Sequence, residues 1–195
     1  MAKSTSKSAD GKAAGGKVDA VALLKADHRT VEELFDKFEG ARKAERKAEI
    51  AHKICMELTI HAMIEEEIFY PAVRGKVEDD LLDEGYVEHD GAKVLIAEIM
   101  AGQPDDQFYD AKVSVLSEEI KHHVKEEERR GEGLFAQAKA AGVDMAALGE
   151  RLQARKAELQ AAFSRDGLGN PETRTFKGAP LVNGKPPAAQ QQPAA

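Results

Sequence analysis

Apolar and polar residues alternate along this chain at the α-helical period, and the pattern predicts five amphipathic helices. The first has the stripe Leu24, His28, Val31, Phe35 and Phe38, with Asp19 as N-cap and an end near Gly40. The second carries Ile54, Leu58, His61, Glu65 and Ile68 and is expected to run from about residue 41 or 43 to Tyr70, where Pro71 should stop it. The third, 79–101 with a bend at Gly85, aligns Leu82, Tyr86, His89, Lys93, Ile96 and Met100. After the turn GQPDD, with Asp105 or Asp106 as cap, the fourth presents Val113, Leu116, Ile120, His123 and Glu127. It should reach the glycines at 131–133, with 134–141 continuing it beyond a distortion. A fifth, from Asp144 to about Phe163, packs Met145, Leu148, Leu152 and Leu159, holds no histidine and reads as structural. No stretch shows the period-two alternation of a strand, so the fold class is all-α.

Composition adds the flanks. Residues 1–17 are rich in Lys, Ser, Gly and Ala, and 164–195 in Pro, Gly, Ala and Gln, so both are expected to be disordered tails around one helical domain at 18–163. Net charge is −7, which argues against a nucleic-acid partner. No apolar run approaches the roughly 20 residues of a membrane span, and the N-terminal stretch lacks a secretory apolar segment. The single Cys55 excludes an internal disulfide, so a cytoplasmic location is the expectation.

The stripes contain residues that an apolar face should reject. Buried Glu is costly without a partner, and a metal ion would satisfy histidine and carboxylate together. The pattern also repeats: the His28–His61 and His89–His123 spacings differ by one residue, and Glu65 and Glu127 each follow the second histidine by one helical turn. Four inward faces directed at one bundle axis would bring four imidazoles and two carboxylates together. That is too many donors for one tetrahedral zinc, and it suggests two ions, with iron, manganese or zinc all compatible. His122–Glu126 shares the spacing of His123–Glu127, and only the apolar stripe favours the latter. His52 falls off the stripe and reads as a surface residue.

The motifs DHRTVEELF at 27–35, HAMIEEEIFYP at 61–71, EHD at 88–90 and HHVKEEE at 122–128 resemble the hemerythrin-like, HHE cation-binding domain over about residues 20–140. The resemblance implies an up-down-up-down four-helix bundle with an extra C-terminal helix. It also implies a carboxylate-bridged, oxo-bridged non-haem site with two iron ions. His28 and His61 would hold one iron, His89 and His123 the other, and Glu65 and Glu127 would bridge them. Two departures stand out. Lys93 occupies the place of the fifth histidine of oxygen carriers, and Glu127 that of an aspartate one residue further along. Glu32 and Glu66 are candidates for an extra ligand.

The function implied is binding of O2, NO or peroxide in the bundle core. An enzyme with catalase-, peroxidase- or oxidase-like turnover, or an iron-handling stress protein, is the alternative. Tyr70, Tyr86 and Tyr109 read mainly as packing residues.

Overall fold

A computed structural model describes residues 18–177. Among these residues the protein is entirely helical: α1 (Ala20–Gly40), α2 (Ala44–Ile64), α3 (Tyr70–Val73), α4 (Asp79–Ala101), α5 (Tyr109–Glu128), α6 (Leu134–Ala140) and α7 (Met145–Asp166). A π-helical turn, Glu65–Phe69, joins α2 to α3. α1, α2, α4 and α5 form the bundle. The short 41–43 connection makes α1 and α2 antiparallel neighbours, which is why His28, early in α1, meets His61, late in α2. α7 lies across α1 and α2, and its Gly149 has no room for a side chain: a Cβ there would sit 1.9 Å from the Val18 carbonyl oxygen. No helix among the described residues is long and apolar enough to cross a membrane.

Two apolar clusters make up the core. One holds Val31, Phe35, Ile54, Leu58, Ile96 and Leu116. The other holds Leu24, Ile64, Phe69, Leu82, Leu134 and Leu152. α1, α2 and α4 pass from one cluster to the other, with the polar members of their stripes at the crossing, while α5 packs in the first cluster and the chain reaches the second at Leu134 of α6. Leu24 and Val31 flank His28 on α1, and Leu58 and Ile64 flank His61 on α2. The polar centre is therefore a layer between two dry ones.

Several expectations are corrected. Pro71 does not end the second helix, which continues to Val73. Proline supplies no N–H and crowds the carbonyl a turn before it, and the π-turn absorbs the fault: Tyr70 N–H bonds to the Glu65 carbonyl, five residues back. The extra residue rotates the following face, so Phe69 rather than Ile68 is buried. On α4, Ile99 is buried and Met100 exposed. Neither Asp105 nor Asp106 caps α5. Asp106 instead closes the preceding turn by accepting from the Gln103 N–H. Residues 134–140 form a separate helix, and α7 extends beyond Phe163 to Asp166, with Asp144 accepting from Ala146 and Ala147.

The expected tails fall mostly outside the described residues, which exclude 1–17 and 178–195. Residues 167–177 are described: they form no helix but dock on the bundle through Arg174 and Thr175.

Candidate metal centre

His28, His61, Glu65, His89, His123 and Glu127 converge in the polar layer, all buried, with Glu65 fully enclosed. His28 Nε2 lies 3.1 Å from His61 Nε2, and His89 Nε2 lies 3.2 Å from His123 Nε2. The carboxylates stand between the two pairs. Glu65 Oε2 is 3.2 Å from His61 Nε2 and 3.4 Å from His89 Nε2. Glu127 Oε2 is 3.4 Å from His28 Nε2 and 3.6 Å from His123 Nε2. The ligand atoms of His28, His61, Glu65 and Glu127 all lie within 4.8 Å of one another, as do those of Glu65, His89 and His123.

The outer nitrogens decide what the inner ones carry. His28 Nδ1 is 2.8 Å from Glu128, His89 Nδ1 is 3.1 Å from Glu66, and His123 Nδ1 is 2.7 Å from Glu88. His61 Nδ1 faces Asp27 at 3.6 Å. An Nδ1–H donated to a carboxylate leaves a lone pair on Nε2, so His89 and His123 aim two lone pairs at each other. Only a cation or protons can occupy such a place. Nitrogens about 2.1 Å from a shared ion lie about 3.0–3.4 Å apart, which matches both pairs.

The same demand for positive charge shows in the carboxylates. Both oxygens of Glu65 and Oε2 of Glu127 are buried without a hydrogen-bond partner. Burial opposes the charge on His61, but Glu65 and Asp27 outweigh it and push His61 up to about 10. Burial likewise opposes the charge on His123, and Glu127 and Glu88 raise it to about 9. Protons thus stand in where a cation would be held. The donor set fits a metal.

Tyr70 completes the carboxylate shell. Its hydroxyl donates to Glu127 Oε1 at 3.1 Å, and burial together with Glu127 and Glu65 holds the phenol well above its ordinary range. Gly85 makes this possible, since a Cβ at that position would come within 2.8 Å of the Tyr70 hydroxyl. The expected bend at Gly85 is better described as a niche for Tyr70.

Residues 19–135 match the pattern of the hemerythrin HHE cation-binding domain. The chain belongs to this family. In fold this HHE domain is similar to a crystal structure of a hemerythrin HHE cation-binding domain-containing protein from Mycobacterium kansasii. The TM-score is 0.64 at 20% identity, over 77% of this chain and 95% of that one. In sequence it is 30% identical over 106 residues to a DNA nickase of Nostoc sp. (strain PCC 7120 / SAG 25.82 / UTEX 2576). That match covers 54% of this chain but only 30% of the relative's length.

Within this HHE domain the remaining sequence candidates separate cleanly. His122 is a surface residue, its side chain 64% exposed, and it joins Glu88 and Glu126 in a shallow outer group. Of the two candidates for an extra ligand, Glu32 pairs with Arg29 on the surface, while Glu66 holds His89 from its outer nitrogen. Burial raises Glu66, but His89 and Lys93 outweigh it and hold the carboxylate below its usual range. Lys93, at the place of the fifth histidine, is buried and donates to Glu66 at 2.7 Å and to Asp90 at 3.1 Å. It therefore neutralises the outer carboxylates beside His89 and adds no donor to the centre.

Four carboxylates support the histidines from outside: Asp27, Glu88 and Glu128 escaped the sequence reading, and Glu66 was read there as a candidate ligand instead. Each is the immediate chain neighbour of a centre residue, and each serves the histidine of the next helix. Asp27 of α1 faces His61 of α2, Glu66 faces His89 of α4, Glu88 of α4 faces His123 of α5, and Glu128 of α5 faces His28 of α1. The four supports form a closed ring around the bundle. An acidic residue directly beside His28, Glu65, His89 and Glu127 was the available signal. α7 is not merely structural either, because its Lys156 bonds to Asp27.

Proposed function

We propose that this protein is a non-haem di-iron protein that binds O2 or a related small ligand, NO or peroxide, in the bundle core. The supporting observation is the pairing itself: two facing histidine pairs with one carboxylate oxygen of Glu65 and one of Glu127 lying between them. In this reading His28 and His61 would hold one iron, His89 and His123 the other, with Glu65 and Glu127 as the carboxylates shared between them. Imidazole and carboxylate donors without thiolate suit iron, with manganese and zinc as competitors. Iron bound there supplies reversible electron transfer to the ligand.

The chain's own residues do the rest. The outer carboxylate ring orients each imidazole and raises its basicity. Tyr70 holds Glu127 in place. A cavity of about 20 Å³ beside the histidines, walled by Val31, Leu58, Ile96 and Ile120, has room for about one small molecule. Its apolar walls exclude bulk water and favour a neutral diatomic. The nicking activity named for the Nostoc relative has no counterpart in the charge of this chain, which is net −7.

The test is metal content with visible spectra, before and after anaerobic reduction and O2 addition. The reading expects about two irons per chain, and oxo-bridge bands that bleach on reduction and return with O2. Peroxide consumption at sustained turnover would move the assignment to an enzyme. Failure to retain metal after iron reconstitution would overturn it.

A further inference from the structure

The segment after α7 was expected to be a tail, yet it is tied into the charge network behind His89. Arg174 Nε pairs with Glu66 Oε2 at 2.7 Å, and Glu66 Oε1 accepts from both His89 and Lys93. Lys93 in turn donates to Asp90 Oδ1. The other oxygen, Asp90 Oδ2, accepts from the Arg174 N–H at 2.8 Å, the Thr175 N–H at 2.6 Å and the Thr175 hydroxyl at 2.7 Å. Charges alternate around a closed loop: Arg174, Glu66, Lys93, Asp90 and back to the 174–175 backbone. A short segment without secondary structure orders only where contacts offset its lost entropy, and this loop supplies them.

The same segment roofs a cavity of about 490 Å³, with Thr59, Met63 and Lys93 on the bundle side and Leu168 and Arg174 on the other. Thr59 and Lys93 also line the small inner cavity beside the four histidines. The outer chamber and the inner one thus meet at a single pair of side chains, and Lys93 is held there by Glu66 and Asp90.

We infer that residues 167–177 are a strap that seals the access route to the centre at Thr59 and Lys93, with Arg174 positioning Glu66 and through it His89. The inference rests on the metal-centre reading above. Arg174 is a positioning residue, since it touches no centre atom. With the strap docked, Glu66 has one geometry and His89 one ring orientation. With it released, Glu66 and Asp90 lose their strap partners, the His89 support relaxes, and the Thr59–Lys93 passage opens outward.

The experiment compares the full-length protein with Arg174→Ala, Thr175→Val and the double variant, each loaded with cobalt(II). Release of the ion to an excess of chelator is followed along with the visible bands of the bound ion. Arg174 is 53% exposed, so its truncation leaves the fold intact, and the melting point of the metal-free forms checks this. The double variant should release metal roughly 10-fold faster and show shifted cobalt bands, with Arg174→Lys restoring most of both. An unchanged release rate in the double variant overturns the strap, whatever the bands do. If the unaltered protein itself takes up no cobalt or iron, the metal-centre reading fails and the strap falls with it.

Discussion

Gly85 and Tyr70 form the most sharply determined contact of the centre. Gly85→Ala would drive a methyl to 2.8 Å from the Tyr70 hydroxyl, so the ring must move and Glu127 loses its donor. The substitution should cost about 1–3 kcal/mol in denaturant unfolding. Tyr70→Phe removes the obstructing oxygen, and in that background Gly85→Ala should cost distinctly less. Strictly additive losses in the double-mutant cycle would show that the niche has no such role. Cys55 makes a separate claim at this scale. Burial pushes its thiol up to about 12, whereas an exposed thiol sits near 9.0. Below 9.0 the proton is held in both states. As pH rises from there toward 12, the unfolded thiol ionises first and stability falls. At pH 8 a disulfide reagent should therefore label Cys55 only after unfolding. Stoichiometric labelling of the native protein would contradict its place in the core.

At the scale of the helix, the apolar stripes disclosed the bundle and brought the four histidines to one layer, because a single histidine set among apolar residues at offsets of three and four has only one way to face. What stayed hidden was set between helices. Glu66 and Glu128 lie in the acidic runs EEE at 65–67 and 126–128, and Glu88 precedes His89 off the apolar stripe, where periodicity cannot tell a solvated carboxylate from one turned to a neighbouring imidazole. The π-turn was hidden too, since Pro71 announces a fault without saying how the chain repairs it. Helix α7 looked inert because its stripe is apolar, yet Lys156 reaches Asp27 from outside that stripe. Lys156→Met should leave Asp27 as a buried charge beside His61 without its cation, weakening metal binding by roughly 10-fold. Arg155→Ala, one residue away, removes only the partly exposed pairs with Glu67 and Glu158 and should cost about 0–1 kcal/mol. Equal metal affinities in the two variants would argue that α7 is packing alone.

For the whole molecule, a layer of four imidazoles and two carboxylates with three unpartnered oxygens between two apolar clusters is a fault line unless something binds it. The apolar layers above and below cannot solvate Glu65, and removing a partner from a buried charge is strongly unfavourable. Metal binding is therefore coupled to folding, since the unfolded chain offers no preformed set of donors. With free metal at 100 times the dissociation constant, linkage supplies about 2.7 kcal/mol. For a chain of this size that raises the melting temperature by about 5–10 °C. Calorimetry of metal-free and iron-loaded protein checks the figure, and Glu65→Gln should narrow the gap. It removes a buried carboxylate donor from the centre, so the loaded form gains less. Coincident melting curves for loaded and metal-free wild-type protein would mean that the polar layer is satisfied by its own protons, and the bundle would then be stable without a metal.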